Sequence, residues 1–457
     1  MKALKIVFLL LMAVLLALPI TGFNWQTHYV SELNNALLTE LDVSEGLDPS
    51  NLDAFIGDRI GLHDEAVTGN IYLNNTLFGE LTHPTYTYGK DGYVFFEMEN
   101  NHVDVDFIDA FCRYLRLMQN YCEQRGVPFV YCLNPSKSTV YQEYLPEGYL
   151  YKNDFLNTMY ARLELYGVNW ISSVEMLEEK AKTEQVYNVQ YDAGHWNDLG
   201  QFYGANYLLE KIASYFPAVQ LRQMSEFSIT TKIEPYLPNS RVAINEEVPV
   251  FTCLQDENLE NITEWYAGLR MDSRYKTMAC FRRTDEEAET LPRVLFFHGS
   301  YYNRNRQFYS CSFQETYAIH NYQNILNLDY YFNIFQPDCV ILETAEYATT
   351  SYYFEYENLL NKQFNPVLEK VIGRPHFEYT LEAMEPEFEV SGQLCAMSFS
   401  IDQPYVIGFS EKSYSYGYLV ADDMVMDLEL DGYTAYCTVD LSRVNLDNAT
   451  VYLFIKK

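Results

Sequence analysis

The sequence is poor in basic residues. Its 457 residues include 31 lysines and arginines against 63 aspartates and glutamates, which gives a formal net charge of −32. Such a charge repels the phosphates of nucleic acids and the headgroups of anionic lipids. We therefore do not expect the protein to bind a polyanion unless basic residues gather in a local patch.

The motifs of several common enzyme classes are also absent. The sequence has no HExxH, no Walker loop and no GxGxxG, and Ser300 is followed by Tyr301 and Tyr302, so GxSxG does not occur. The ordinary nucleophile elbow of α/β-hydrolases is therefore excluded. A carboxylate pair for glycoside hydrolysis stays open, because no spacing singles out a pair among the acidic residues.

The nine cysteines stand singly, without a CxxC pair or a metal-ligand spacing. An odd, scattered set argues against a disulfide framework even in an exported protein. We predict that the cysteines in apolar runs are small core residues, and we predict no metal and no cofactor.

One long apolar run is present, and it lies at the N-terminus. Two lysines precede a continuous apolar stretch from Ile6 to Ile20. Its length fits the hydrophobic region of a signal peptide better than a full membrane span. We predict that residues 1–22 are a signal peptide or an N-terminal membrane anchor, and we favour tethering. Everything from about Phe23 onward is expected outside the cytoplasmic membrane.

Helical and apolar segments alternate along most of the remaining chain. An amphipathic helix is predicted over 104–125 and leads into a buried strand at 127–133, and another buried strand is predicted at 293–298. This alternation is typical of an α/β domain with a parallel sheet. Residues 217–291 are irregular and β-like, and we interpret them as a segment inserted into one sheet.

Alternating strands follow from about residue 375, among them "YVIGFS", "DMVMDLEL" and "YLFIKK". This pattern predicts a small antiparallel β domain. The predicted organisation is thus a leader at 1–22, an α/β domain at 23–374 with its insert at about 217–291, and a β domain at 375–457.

A candidate catalytic group emerges at the ends of predicted strands. Among the 21 glycines only Gly299 is followed by serine, and Ser300 comes directly after the buried strand at 293–298. His195 has Asp192 three residues before it, at another strand end. Ligands of open α/β sheets bind outside the carboxyl ends of the strands, so Ser, His and Asp there can form a proton-transfer triad. The alternative is that Ser300 caps a turn and His195 packs beside Trp196.

Six sequence blocks, in this order, resemble the alginate O-acetyltransferase family, the exported AlgX/AlgJ-like and DHHW-type branch of the SGNH hydrolase superfamily. The blocks span about residues 53–363 and are "FIGDRIGLHDE", "YGKDGYVFF", "GVPFVYCLNPSKSTVYQEYLP", "YDAGHWNDLGQFYGAN", "VLFFHGSYYN" and "PDCVILETAEY". The resemblance implies a three-layer α/β/α fold with a central parallel sheet. It also implies that a Ser300–His195–Asp192 triad passes an acetyl group to a polysaccharide hydroxyl.

The resemblance also implies further residues and partners. It places the loop with Asn134 and Lys137 beside the site. Tyr301 is a further candidate for substrate binding, and the oxyanion donors considered are the Ser300 amide and either Asn321 or Asn324. A membrane-bound O-acyltransferase is the implied acetyl donor, and a polysaccharide is the implied acceptor. The chain departs from the family at the nucleophile, where His298-Gly299-Ser300 replaces Gly-Asp-Ser.

Three functions remain open on the sequence. The first is O-acetyl transfer to a cell-surface or secreted polysaccharide through an acetyl-serine intermediate. The second is removal of acetyl groups from such a glycan. The third is a non-catalytic polysaccharide-binding or assembly protein that retains the fold, which the altered Gly-Asp-Ser favours and the complete Ser, His and Asp set opposes.

Overall fold

The computed structural model describes ten stretches of the chain: residues 2–27, 29–31, 33, 36–41, 48–96, 103–254, 258–272, 275–303, 306–401 and 414–455.

The helices of the described residues are concentrated in the first four-fifths of the chain. They are α1 (Lys2–Thr21), α2 (Pro49–Arg59), α3 (His63–Phe78), α4 (Val105–Gln124), α5 (Lys137–Val140), α6 (Asp154–Tyr166), α7 (Val174–Ala181), α8 (Asp198–Ala213), α9 (Gln307–Ser310), α10 (Leu328–Phe335), α11 (Tyr356–Asn361) and α12 (Leu368–Val371).

The strands are short before residue 227 and dominate after residue 375. They are β1 (Val30–Ser31), β2 (Ala36–Leu37), β3 (Tyr86–Tyr88), β4 (Val94–Phe96), β5 (Phe129–Asn134), β6 (Trp170–Ser172), β7 (Phe227–Tyr236), β8 (Ala243–Cys253), β9 (Leu259–Asn261), β10 (Met278–Arg283), β11 (Arg293–His298), β12 (Glu315–His320), β13 (Cys339–Ala345), β14 (His376–Thr380), β15 (Glu387–Ser391), β16 (Leu394–Ser400), β17 (Tyr414–Ala421), β18 (Met424–Asp427), β19 (Glu429–Asp431), β20 (Thr434–Asp440) and β21 (Thr450–Ile455).

A seven-stranded sheet forms the centre of the molecule, in the order β6-β5-β13-β11-β12-β10-β9. The first five strands pair in parallel, and β5, β13 and β12 are buried along their whole length. Buried parallel strands are covered on both faces, which explains their nearly continuous apolar sequences. Helices flank this sheet, with α4 against β5 and α10 against β11. The α/β prediction is confirmed.

The central strands are parallel as predicted, and the complete sheet is mixed. At one edge β10 runs antiparallel to β12, and β9 runs antiparallel to β10. The connection from Arg283 to Arg293 is shorter than the dozen or more residues that a parallel crossover takes. The strand before it therefore joins the sheet in the opposite direction.

Residues 217–291 contribute to two places. Strands β7 and β8 form a separate hairpin sheet, whereas β9 and β10 extend the central sheet. The hairpin packs on α8 through a cluster of phenylalanine rings from Phe202, Phe227, Phe251 and Phe308. Strands β5 and β11, which precede and follow this segment, both pair with β13 in one sheet.

The last part of the chain is β-rich, as predicted. Two four-stranded sheets, β14-β21-β17-β18 and β15-β16-β20-β19, enclose an apolar core that includes Met397, Leu419, Met426 and Val451. The predicted strand "YVIGFS" at 405–410 lies outside the described residues.

The N-terminal apolar run is helical as α1. Within the stretches described above, no helix combines the length and the apolarity needed to cross a membrane.

Candidate active site

Ser300 lies immediately beyond the carboxyl end of a central strand. Strand β11 ends at His298, Gly299 continues in extended backbone, and Ser300 begins a short 3-10 turn over Ser300–Tyr302. Because β11 lies between β13 and β12, Ser300 stands near the middle of the sheet edge. The sequence predicted this position from the apolar run that precedes Gly299.

The loop that carries Asp192 and His195 is fixed at both ends. A bridge pairs Tyr187 with Trp196, and Asn197 caps α8 by accepting a hydrogen bond from the amide of Gly200 at 3.0 Å. Asp192 has a φ of +53°, a left-handed conformation that Asp adopts more readily than most residues. The loop therefore turns sharply just before the histidine.

The same loop is held directly against the Ser300 turn. The indole nitrogen of Trp196 donates to the carbonyl of Tyr301 at 2.8 Å. The hydroxyl of Tyr301 lies 2.9 Å from the carbonyl of Gly194 and 2.7 Å from that of Pro135. These contacts set the distance between the two chain segments.

Ser300, His195 and Asp192 form a continuous hydrogen-bonded chain. His195 Nε2 lies 2.8 Å from Ser300 Oγ, and His195 Nδ1 lies 2.6 Å from Asp192 Oδ1. The Asp192 side chain is 8% exposed and that of His195 is 22% exposed. With the Nδ1 proton donated to Asp192, Nε2 can accept the proton of Ser300, which is the arrangement that activates a serine nucleophile.

A half-buried carboxylate from the hairpin supports the approach to Asp192. Glu246 on β8 accepts hydrogen bonds from the amides of Val189, Gln190 and Tyr191, at 2.5, 2.9 and 2.6 Å. Sequence reasoning did not find Glu246, because nothing in the local pattern distinguishes it from the adjacent Glu247.

Tyr347 is a second residue that the sequence did not reveal. Its hydroxyl lies 3.1 Å from Ser300 Oγ and 3.3 Å from His195 Nε2. Burial raises the pKa of Tyr347, so this hydroxyl stays protonated. It follows β13 within the "PDCVILETAEY" block, and its position after a strand end was the available signal.

Glu343 lies beneath the Ser300 turn. Its side chain is completely buried on β13, where Oε2 accepts from the amide of Gly299 at 2.7 Å and Oε1 accepts from Asn134 Nδ2 at 2.9 Å. Burial raises the pKa of Glu343 to about 7, against the opposing effect of these two hydrogen bonds. An acidic residue inside an otherwise apolar strand was the signal for it.

Three of the predicted binding residues are engaged inside the protein. Asn134 also accepts from Ser173 Oγ at 2.7 Å, and Tyr301 is bonded as described above. Lys137 donates to the carbonyls of Val94 and Val189 at 2.7 and 2.8 Å. Burial lowers the pKa of Lys137 to about 7. The structure thus places these side chains behind the triad, where they hold neighbouring segments.

The two predicted asparagines differ from each other. Asn321 lies beside Gly299 and donates to the carbonyl of Glu343 at 2.6 Å, while its buried Oδ1 has no hydrogen-bond partner among the described residues. Asn324 accepts from the amide of Asp272 at 2.7 Å and donates to the carbonyl of His320 at 2.9 Å. The structure brings Asn321 to the Ser300 turn and uses Asn324 to hold another loop.

Neither a second base nor a metal cluster accompanies the triad in the described part of the chain. His298 is buried with Nδ1 2.9 Å from the carbonyl of Gly299, and burial lowers the pKa of this histidine to about 3. The described residues contain no group of three or more His, Cys, Asp or Glu side chains arranged to hold a metal ion.

Comparison with protein families gives one match. Residues 87–239 match a family model described as an SGNH hydrolase-like domain of the acetyltransferase AlgX. The matched stretch contains Asp192 and His195 and ends before Ser300. It confirms the resemblance predicted from the sequence blocks and supports an enzyme of the SGNH O-acetyltransferase type. Comparison with curated protein sequences gives no significant match.

Several solved structures are similar to this chain. PatB1 of Bacillus cereus superposes with a TM-score of 0.46 and 16% identity, over 58% of this chain and 98% of PatB1. The O-acetyltransferase domain of Pseudomonas putida AlgJ gives 0.42 and 17%, over 61% and 99% of the two chains. Pseudomonas aeruginosa AlgX gives 0.38 and 13%, over 81% and 87%. Because all three TM-scores lie below 0.5, these similarities carry no information on individual residues.

Proposed function

We propose that this protein transfers acetyl groups to hydroxyls of an extracytoplasmic polysaccharide through an acetyl-Ser300 intermediate. The observation that carries the proposal is the hydrogen-bonded chain from Ser300 Oγ through His195 to Asp192, at 2.8 and 2.6 Å. The acetyltransferase description of the matching family model supports the choice of acetyl as the group transferred.

The first half-reaction forms the acetyl-enzyme. Ser300 Oγ attacks the carbonyl carbon of the acetyl donor, and its proton passes to His195 Nε2. The donor's leaving group takes this proton as its bond to the acetyl carbon breaks. Asp192 holds the imidazole in the required tautomer and stabilises the imidazolium that forms.

The second half-reaction releases the enzyme. The acceptor hydroxyl gives its proton to His195 Nε2 while its oxygen attacks the acetyl carbon, and Ser300 recovers the proton as its ester bond breaks. In both halves negative charge develops on the acetyl oxygen, and we propose that the Ser300 amide and the Tyr347 hydroxyl, which lies 3.1 Å from Ser300 Oγ, stabilise it. Asn321, beside Gly299, is a further neighbour of this position.

The donor, acceptor and location follow from sequence features. The N-terminal apolar run favours export, and the family resemblance favours a membrane-bound O-acyltransferase that supplies the acetyl group. The net charge of −32 favours an acceptor polysaccharide without many anionic groups.

One observation favours hydrolysis as the second candidate function. The His195 side chain is 22% exposed, so the imidazole is open to water that can compete with the acceptor hydroxyl. The protein would then be an acetylesterase that acts on glycans. Neutral oligosaccharides added to the acetyl-enzyme distinguish the two, since transfer yields acetylated sugar and hydrolysis yields acetate.

The full chain in mild detergent, mixed with p-nitrophenyl acetate, should release p-nitrophenol and carry acetyl on the peptide that contains Ser300. Ser300→Ala should reduce both signals to background. Ser310→Ala is the matched control, because Ser310 is equally a serine near this turn but its buried hydroxyl has no partner among the described residues. Full activity of Ser300→Ala would overturn the proposal, and an inactive wild type would favour the binding protein.

Asp192→Asn tests the proton-transfer chain more finely. The amide preserves size but favours the wrong imidazole tautomer, so the rate should fall by on the order of 10⁴ with little change in stability. Combined with Ser300→Ala it should cost little more than Ser300→Ala alone, because the three residues act as one unit. Additive losses on a logarithmic scale would argue for separate roles.

A further inference from the structure

Glu343 is a buried ionisable group that the proposed mechanism does not use. It lies on β13, next to β11, and its carboxylate reaches across to the amide of Gly299 at 2.7 Å. Ser300 is the following residue. We propose that Glu343 is a positioning residue that sets the Ser300 turn and keeps Oγ within hydrogen-bond reach of His195. The inference rests on the proposed role of Ser300 as the nucleophile.

Three strand ends meet at Glu343, two of them at its carboxylate and one at its backbone carbonyl. Strand β5 contributes Asn134, whose Nδ2 donates to Glu343 Oε1 at 2.9 Å. Strand β12 is followed by Asn321, whose Nδ2 donates to the backbone carbonyl of Glu343 at 2.6 Å. Strand β11 contributes Gly299 itself. Glu343 therefore links the Ser300 turn to β5 through its carboxylate and to the segment after β12 through its backbone carbonyl.

The side chains of Glu343 and Asn321 line the backbone at Gly299. A Cβ atom at Gly299 would lie 3.5 Å from both Glu343 Oε2 and Asn321 Nδ2. These are ordinary contact distances for an atom that Gly299 lacks, so the hydrogen bond from the Gly299 amide to Glu343 is what holds the turn. A shift of about 1 Å in a reacting group can cost on the order of 10²-fold in rate, so a support of this kind has a kinetic consequence.

A buried carboxylate that holds one amide is energetically unfavourable compared with a neutral acceptor in the same place. The Glu343 side chain is fully buried, and among the described residues it accepts hydrogen bonds from two neutral donors, the Gly299 amide and Asn134 Nδ2. Burial of a charge without close compensation is unfavourable, whereas a neutral amide could accept the same hydrogen bond at lower cost. A carboxylate also binds an N–H more strongly than a neutral acceptor, and this favours a positioning role over simple core filling.

Two variants separate the acceptor from the charge. Glu343→Met keeps a long side chain but removes the acceptor, and Glu343→Gln keeps an oxygen for Gly299. Inactivation of Ser300 by phenylmethylsulfonyl fluoride should slow about 100-fold in Glu343→Met and about 10-fold or less in Glu343→Gln. Turnover of p-nitrophenyl acetate should show the same losses in kcat, with KM within about twofold of the wild type.

Glu315→Gln is the matched control. Glu315 is also a buried glutamate on a central strand, but it lies at the start of β12, where it binds Arg443 and accepts from Arg282 Nε at 2.7 Å. Its variant should lower the thermal unfolding midpoint and leave kcat and the inactivation rate unchanged. A purely structural role of Glu343 would give this same result at position 343 and would overturn the inference.

The outcomes also distinguish this inference from the proposed function. If Ser300→Ala is fully active, the proposed function fails. If Ser300→Ala is inactive but Glu343→Met reacts at the wild-type rate, only the positioning role fails. If Glu343→Met does not fold, Glu343→Asp replaces it, since it keeps the charge and withdraws the carboxylate by one methylene. An Asp variant that keeps the wild-type inactivation rate would likewise reject the role.

Discussion

At the scale of single residues, two buried ionisable side chains lie behind the triad and have pKa values displaced in opposite directions. Burial raises the pKa of Glu343 and lowers that of Lys137, in each case to about 7. In both cases the folded protein disfavours the charged form. Stability should therefore depend on pH through these two groups.

The prediction for Glu343 concerns stability between pH 5 and pH 8. Its folded pKa of about 7 exceeds the ordinary value of 4.5, so over this range the folded state binds more protons than the unfolded state. Stability consequently falls as pH rises through this interval, by at most about 3 kcal/mol. From pH 5 to pH 8 the urea unfolding midpoint of Glu343→Gln should therefore rise relative to that of the wild type. A difference that is independent of pH would show that Glu343 does not titrate there.

The candidate site was only partly predictable from the sequence. Ser300 could be proposed because it follows an apolar run that ends at the edge of the sheet, and Asp192 and His195 because of their spacing and an expected strand end at Tyr191. That strand end was wrong: the described residues before Asp192 form a bridge between Tyr187 and Trp196 and no sheet strand. Glu343 had a local signal, as an acidic residue inside an apolar strand, but its bond to the Gly299 amide could not be predicted. Glu246 could not be singled out among 63 acidic residues, because the hydrogen bonds that distinguish it join distant parts of the chain. Local pattern contains no information about such pairings.

At the scale of secondary structure, the strongly periodic segments were predicted closely. The helix expected over 104–125 is α4 (Val105–Gln124), and the strand expected at 293–298 is β11. The direction of β9 and β10 was not predictable, because it depends on the length of connections and on neighbours in the sheet. The position of the β3–β4 hairpin beside the triad was not predictable either.

That hairpin leads to a prediction at Gly194. An added Cβ would lie 1.8 Å from Cε2 of Phe96 on β4, and the Phe96 ring centroid is 5.3 Å from that of Tyr347. Gly194→Ala should therefore displace Phe96 and disturb the Asp192–His195 loop. We expect a loss of about 1–3 kcal/mol in stability and a reduced kcat for p-nitrophenyl acetate.

Two companion variants test this explanation. Gly194→Ala combined with Phe96→Ala removes the clash and should recover part of the lost activity. Gly57→Ala in α2 is the control, since nothing lies within 4 Å of its added Cβ, and alanine should stabilise an exposed helix by about 0.5–1 kcal/mol. If the double variant is no more active than Gly194→Ala, the clash with Phe96 is not the cause.

At the scale of the whole molecule, the C-terminal sheets are joined to the α/β part by buried polar contacts. Asp427 accepts from the Tyr121 hydroxyl at 2.6 Å and from Arg125 at 2.9 Å, and Asp440 accepts from the Tyr266 hydroxyl at 2.8 Å. Such contacts are costly to leave unmade. We therefore propose that residues 23–374 and 375–457, although separate in sequence, fold as one unit.

Deletion of residues 375–457 should destabilise the rest of the chain. It leaves Arg125, Tyr121 and Tyr266 without the partners that they have in the intact protein, and it uncovers one side of α10. The truncated protein should be largely insoluble or should unfold at a clearly lower temperature, as measured by circular dichroism. An equally soluble and equally stable truncated protein would show that the two parts are independent.

A single substitution separates the loss of these contacts from the loss of the whole segment. Arg443, 14% exposed on the C-terminal side, binds Glu315 at the start of β12, where the Glu315 side chain is 7% exposed. Removing one partner of a buried ion pair leaves an uncompensated charge, but Arg282 remains, so Arg443→Met should cost up to about 3 kcal/mol. Lys370→Met, at an exposed cation in α12, should change stability by less than about 0.5 kcal/mol. Equal melting temperatures for the two variants would mean that the ion pair between Arg443 and Glu315 does not hold the two parts together.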